Sequence, residues 1–74
     1  MEAILNKLQL NAKICKDSNL IPESNFYQTA IDLIESHGLI VAREAVKNGL
    51  AQCTKNDGWF IFMFLEINTI LNNN

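Results

Sequence analysis

The feature that most constrains the fold is an unbroken run of seven apolar residues, Trp59–Leu65, in a chain of 74 residues. Aromatic and β-branched residues favour strands, so the run is compatible with a buried strand. The helical spacing of apolar residues nevertheless continues as far as Leu71, and a lone strand would have no partner to pair with. The run therefore predicts a helix that begins after Asn56 or Asp57 as its N-cap.

A helix with this sequence is apolar on every side, so it must be covered by the rest of the chain or by another molecule. Its predicted inward face comprises Trp59, Phe60, Met63, Phe64, Ile67, Ile70 and Leu71. Ile61, Phe62 and Leu65 point the other way. They belong either to a core helix covered on both sides or to an interface. We expect the interface, because a small domain has little room for a fully central helix.

Chain length and composition support the same expectation. A single domain spanning residues 1–74 buries only about 60% of the surface that its unfolded chain exposes. Apolar residues nevertheless make up 49% of the sequence. The surplus predicts self-association, with a homodimer expected, or binding to a protein partner.

Two further helices are predicted in the first half of the chain. The first covers residues 2–16 and is followed by turn-forming residues. The second begins at Pro22, which suits a first helical position, or slightly later with Ser24 or Asn25 as its cap. It ends at Gly38, which we expect to adopt the left-handed conformation after the last helical residue.

The third predicted helix runs over Leu39–Asn48, and the pattern leaves open whether Gly49 ends it or lies within it. These elements predict an all-α fold: a small bundle of three to four short helices with tight, glycine-containing turns. The predicted core comprises Leu5, Leu8, Phe26, Ala30, Leu33, Ile34, Ala42, Val46, Trp59, Met63 and Ile67.

The charged residues give weak indications of function. The net charge is −2, and the six Lys and Arg residues are scattered rather than arranged in the basic stripe typical of nucleic-acid binders. Arg43 and Lys47, one turn apart, are predicted to be charges at the rim of a protein interface. They could alternatively contact phosphate, because the junction at Gly38 is compatible with a helix-turn-helix. The alternative function is therefore a small dimeric nucleic-acid-binding regulator, although Glu44 interrupts the basic face.

The sequence predicts neither an enzyme nor a metal or cofactor site. It contains a single histidine, His37, and none of the phosphate-binding, dinucleotide-binding, nucleophile-elbow or zinc-protease motifs. We expect His37 to be structural, at a helix C-terminus that stabilises an imidazole. Cys15 and Cys53 lie far apart in sequence and form no C-x-x-C pair, and both are expected to be reduced and half-buried.

The cellular setting is expected to be the cytoplasm. The N-terminus lacks the charged start and apolar stretch of a signal peptide. No segment approaches the roughly 20 apolar residues of a membrane span. A membrane-active toxin that uses the aromatic run is the least favoured interpretation.

The spacing Ala30-x-x-Leu33-Ile34-x-x-His37-Gly38, followed by Ala42, Ala45, Trp59 and Ile67, resembles that of small helical proteins of bacteria and their prophages. The resemblance covers roughly residues 26–70 and carries no catalytic residues. It implies a phage or mobile-element protein that inhibits host machinery, in the manner of an anti-CRISPR. The expected function is therefore a non-catalytic protein-binding module that acts by surface occlusion through Ile61, Phe62 and Leu65.

Overall fold

The computed structural model describes residues 1–73 and confirms the all-α fold. Four helices follow one another: α1 (Glu2–Asp17), α2 (Ile21–His37), α3 (Leu39–Gln52) and α4 (Gly58–Leu71). The apolar run forms a helix, as predicted, and no strand occurs within residues 1–73. None of the described helices is both long and apolar enough to cross a membrane.

The turn between α1 and α2 depends on Asn19. Its φ of 62° is left-handed, a conformation that asparagine adopts more readily than most residues. The N–H of Leu20 donates to the carbonyl of Cys15 at 2.7 Å, and the N–H of Asn19 donates to that of Lys16 at 3.1 Å. These two bonds form a Schellman motif, which satisfies the last carbonyls of α1.

The start of α2 differs from the predicted caps. The helix begins at Ile21, with Leu20 as its N-cap, so Pro22 lies second in the first turn. The later start capped by Ser24 or Asn25 is wrong. The Ser24 hydroxyl instead donates to the carbonyl of Ala12 at 2.8 Å in a buried position, where it links α2 to α1.

Gly38 alone connects α2 to α3. Its φ of 91° is positive, as predicted, but its ψ of 168° is extended rather than left-handed helical. Side chains rarely tolerate this combination, which is essentially confined to glycine. The Gly38 N–H donates to the carbonyl of Ile34 and closes the last turn of α2, and the Gly38 carbonyl accepts from the N–H of Ala42 in the first turn of α3. Gly38 thus has the positive φ that was predicted, but its ψ is that of an extended residue and not that of the left-handed helical conformation.

Gly49 lies within α3, which continues to Gln52 and settles the question that the sequence left open. A Cβ atom at this position would lie 2.5 Å from Cζ of Phe64, well inside van der Waals contact. Glycine is therefore favoured here by the close approach of the Phe64 ring on α4 rather than by a helix end. This contact, together with that between Arg43 and the carbonyl of Leu71, shows that α3 and α4 run antiparallel.

Each helix contributes to one hydrophobic core. Seven of the predicted core residues are buried, while Leu5, Phe26 and Leu33 pack half-buried against them. The prediction for Trp59 is wrong, because 38% of its surface is exposed. The buried hydrophobic residues are Ile4, Leu8, Ala12, Tyr27, Ala30, Ile31, Ile34, Ala42, Val46, Met63, Ile67, Ile70 and Leu71.

Candidate partner-binding surface

One side of α4 presents large apolar side chains to solvent. Phe62 exposes 61% of its surface and Leu65 exposes 48%, while Ile61 beside them is half-buried. At 100° per residue, the three lie within about 100° of arc on the helix. We call Ile61, Phe62 and Leu65 the α4 outer face. The predicted orientation of Phe62 and Leu65 away from the core is thus observed, and their role in binding stays a prediction.

The opposite side of the same helix is core. Met63, Ile67 and Leu71 are essentially inaccessible to solvent, and Ile70 is buried beside them. α4 is therefore held by its inner side, and its outer face is not needed to keep the helix in place. This division is typical of a helix that is shared between a domain core and an interface.

Four aromatic rings cluster where α4 begins. Phe26 of α2 meets Trp59 and Phe64 edge-on, with ring centroids 5.5 and 5.0 Å apart, and Trp59 meets Phe60 at 5.0 Å. Trp59 Nε1 also donates to the Glu23 carboxylate at 2.9 Å. Phe60 is exposed as well as Trp59, so the predicted inward orientation fails for the first turn of α4. These rings extend the apolar surface next to the α4 outer face.

A groove of about 350 Å³ opens between α2, α3 and α4. Buried Ala30, Val46 and Ile67 lie at its bottom, and half-buried Phe26, Leu33 and Phe64 form its walls, with Thr29 and Ala45 also lining it. Thr29 supplies its one polar side chain, whereas small-molecule sites usually combine apolar walls with several convergent polar groups. The groove therefore adds apolar surface without the chemistry of a specific ligand site.

The two predicted rim charges occupy different environments. Arg43 is half-buried, and its Nε donates to the carbonyl of Leu71 at 2.9 Å, near the end of α4. Leu71 lies nine residues beyond Phe62, about 14 Å along the helix axis. Lys47, on the next turn of α3, is exposed. The structure thus gives Arg43 a role in capping α4, and a contact of Arg43 or Lys47 with a partner stays a prediction.

The titratable groups do not form a recognisable reaction centre in residues 1–73. Both cysteines are free and half-buried, as expected. Burial, with a smaller contribution from the Glu23 charge, raises the pKa of the Cys15 thiol and so disfavours the reactive thiolate. His37 is exposed rather than partly buried, and it lies 14 residues from Glu23, about 20 Å along α2. Because the Glu23 charge acts on the Cys15 thiol, Cys15 lies near the start of α2, at the other end of that helix from His37, and the two side chains do not pair.

No group of three or more His, Cys, Asp or Glu side chains converges in the described part of the chain. Every buried side-chain nitrogen and oxygen described has a hydrogen-bond partner. Comparison of the chain with protein-family models, with curated proteins and with solved structures gives no match. The surface geometry of α4 is therefore the main structural guide to function.

Proposed function

We propose that the protein is a non-catalytic protein-binding module whose contact surface is the α4 outer face. The observation that carries this proposal is the 61% exposure of Phe62 on a helix whose other side is core. A phenylalanine that only stabilised the fold would gain nothing from this position. A partner that covered the ring would recover the hydrophobic free energy that folding leaves unused.

The size of that gain is sufficient for a binding hot spot. With a surface of about 200 Å² for the whole side chain, Phe62 exposes roughly 120 Å². At about 25 cal/mol per Å², covering it contributes on the order of 3 kcal/mol. Hot-spot residues contribute about 2 kcal/mol or more and are commonly aromatic. Leu65 and the aromatic cluster next to the face would add to this value.

The proposed mode of action is occlusion. An apolar helical face without catalytic groups can inhibit a partner by covering a surface that the partner needs. The resemblance to small phage and prophage proteins supports an inhibitor of a host protein or defence complex, acting in the cytoplasm in the manner of an anti-CRISPR. The same face is also open to a second copy of the chain.

The test is a tagged pull-down from a bacterial host lysate, run with and without nuclease, that compares three forms of the protein. The wild type should retain a stoichiometric protein partner. Phe62→Asp should lose it, because a carboxylate would be buried in the interface. Ile40→Asp is the matched control, since Ile40 is an equally apolar and even more exposed residue, at 76%, on α3.

Circular dichroism must show that both variants keep the wild-type helical content. Retention of the partner by Phe62→Asp, or equal loss from both variants, would contradict the assignment of the surface. Nucleic acid that co-purifies, with proteins lost on nuclease digestion, would favour the alternative regulator. That alternative requires Arg43 to leave the carbonyl of Leu71 before its Nε can bind phosphate.

A further inference from the structure

The junction between the last loop and α4 contains two neighbouring residues that can react with each other. Asp57 is the N-cap of α4, and Gly58 is its first helical residue. Glycine has no Cβ, so no side chain shields its backbone nitrogen from the carboxyl group of the preceding residue. An aspartate before a glycine can therefore close a five-membered ring onto that nitrogen. The sequence contains this pair once, at residues 57–58.

The reaction needs no reagent other than water. The Gly58 nitrogen attacks Cγ of the neutral Asp57 carboxyl group and forms a new C–N bond. One carboxyl oxygen leaves as water, together with the carboxyl hydrogen and the amide hydrogen. Water then opens the imide. Cleavage at the main-chain carbonyl of Asp57 gives isoaspartate, in which the chain runs through Cβ and Cγ, whereas cleavage at Cγ restores aspartate.

The folded structure holds the two reacting groups apart. Ring closure requires Cβ of Asp57 and the nitrogen of Gly58 to lie on the same side of the Asp57 Cα–C bond. The ψ of Asp57 is 40°. Because the substituents of a tetrahedral carbon are about 120° apart in projection, this ψ places Cβ and the nitrogen about 160° apart, on nearly opposite sides of the bond. The ring can close only after a large rotation about ψ, which detaches the first turn of α4 from the loop.

Thr54 fixes the carboxylate on the side of the loop. Asp57 Oδ2 accepts from the N–H of Thr54 at 2.8 Å and from Thr54 Oγ1 at 3.1 Å. It does not cap α4. The main-chain carbonyl of Asp57 accepts from the N–H of Ile61 at 2.8 Å. The N–H of Gly58, in contrast, is the first of the helix and has no acceptor within it. The bonds of Asp57 therefore restrain the reaction, while the attacking nitrogen is not held by the helix.

We propose that Asp57–Gly58 is a site of spontaneous covalent modification, at which aspartate converts to isoaspartate when the first turn of α4 opens, and that Thr54 slows this conversion. The product removes the Asp57 carbonyl from the main chain, so the bond with which Ile61 closes the first turn is lost. Trp59 then loses the backbone position from which it binds Glu23. This chemistry needs no partner, so it holds or fails independently of the proposed function.

The experiment is incubation of the full chain near neutral pH, folded and in guanidinium chloride, followed by trypsin digestion and chromatographic separation of the isoaspartyl peptide. Trypsin cleaves after Lys55 and releases residues 56–74 as one peptide, which excludes the asparagine–glycine pair at residues 48–49. Isomerisation leaves the mass of this peptide unchanged, whereas deamidation of its asparagines alters it. The folded wild type should convert at least about tenfold more slowly than the unfolded chain, because α4 must open first.

Variants of Thr54 test its role. Thr54→Val removes the hydroxyl at nearly constant volume and should accelerate conversion of the folded chain by roughly two- to tenfold, as expected for one lost hydrogen bond. Thr54→Ser should keep the wild-type rate, and in denaturant both variants should react like the wild type. Equal rates for the two variants when folded would overturn the role of Thr54.

Gly58→Ala is the control for the chemistry. A Cβ at this position would meet nothing within 4 Å, so the fold should be kept while the methyl group slows the reaction in both states. Absence of isoaspartate from the unfolded wild type would overturn the site. Equal rates in the folded and unfolded wild type would overturn its control by the opening of α4.

The isolated isoaspartyl protein tests the consequence for α4. Its Trp59 emission should move to longer wavelength, because the ring loses its contacts with Phe26 and Glu23. An emission spectrum equal to that of the unmodified protein would overturn the proposed effect on the aromatic cluster.

Discussion

Because Gly49 lies against Phe64, the effect of Gly49→Ala on the free energy of unfolding should change sign when Phe64 is replaced by a smaller residue. Replacing a helical glycine by alanine normally stabilises a protein by up to about 1 kcal/mol. Here the new Cβ would lie 2.5 Å from Cζ and 2.7 Å from Cε1 of Phe64. Carbon atoms pack at about 3.5–4.0 Å, so the ring must move by roughly 1 Å.

Moving the ring has a cost, because it is half-buried against the core and meets Phe26 edge-on at 5.0 Å, and a shift would weaken these contacts. Overpacking of this kind costs about 1–3 kcal/mol. Gly49→Ala should therefore destabilise the wild type by about 1 kcal/mol, after the gain in helix propensity is subtracted. In a Phe64→Leu background the shorter side chain removes the clash, and the same substitution should stabilise by up to about 1 kcal/mol.

The assay is urea unfolding of the four proteins in this cycle, followed by circular dichroism, with Trp59 fluorescence as a second probe. The coupling free energy between the two positions should be about 2 kcal/mol. This value is well resolved against a total stability of roughly 4–11 kcal/mol for a chain of this length. A coupling near zero, with Gly49→Ala stabilising in both backgrounds, would refute the reasoning, because it would mean that the ring yields without cost.

Two further predictions concern the α1–α2 turn and the buried tyrosine. Asn19→Ala should lower stability by about 1 kcal/mol, because alanine tolerates the φ of 62° poorly. Asn19→Gly should change stability by less than about half that amount. Equal thermal midpoints for the two variants would contradict this account. Burial is the main cause that raises the pKa of Tyr27 above its ordinary value of 10.0, with smaller contributions from the charges of Glu66 and Cys15. The unfolded chain therefore releases the phenolic proton first, so stability should be constant with respect to this group below pH 10.0 and fall as the pH rises above it. Tyr27→Phe should lessen that alkaline loss in urea titrations, and an unchanged slope would exclude Tyr27 as its source.

The helices could be predicted from the local spacing of apolar residues. The errors concern side chains whose burial depends on a contact with a residue far away in the sequence. The phase of α4 follows from its own periodicity, which is why the outward orientation of Phe62 and Leu65 could be anticipated. The buried side of α2 is turned toward α1, so Tyr27 and Ile31 are buried although the apolar pattern favoured the stripe through Phe26 and Leu33. The pattern on one helix does not show which neighbour will cover it.

Single residues at helix ends show the same limit. Trp59 lies in the first turn of α4, where its ring remains partly exposed and its N–H binds Glu23. Arg43 looks like a surface charge in the sequence, yet its partner is a carbonyl 28 residues further along the chain. Gly49 has the same local propensity whether it ends a helix or lies beneath an aromatic ring. In each case the outcome depends on tertiary packing, which helix propensity does not encode.

The single-residue junction at Gly38 also has a consequence for how the protein can evolve. Because a single residue connects α2 to α3, one residue inserted at the start of α3 would turn the rest of that helix by about 100° about its axis. Val46 and Ala42 would then leave the core. The loop at residues 53–57 carries no such constraint, since it connects helices through several residues that are mostly exposed. Changes of length can therefore accumulate between α3 and α4, where they would reshape the neighbourhood of the aromatic cluster. The α2–α3 corner, in contrast, is expected to be inherited with its length unchanged.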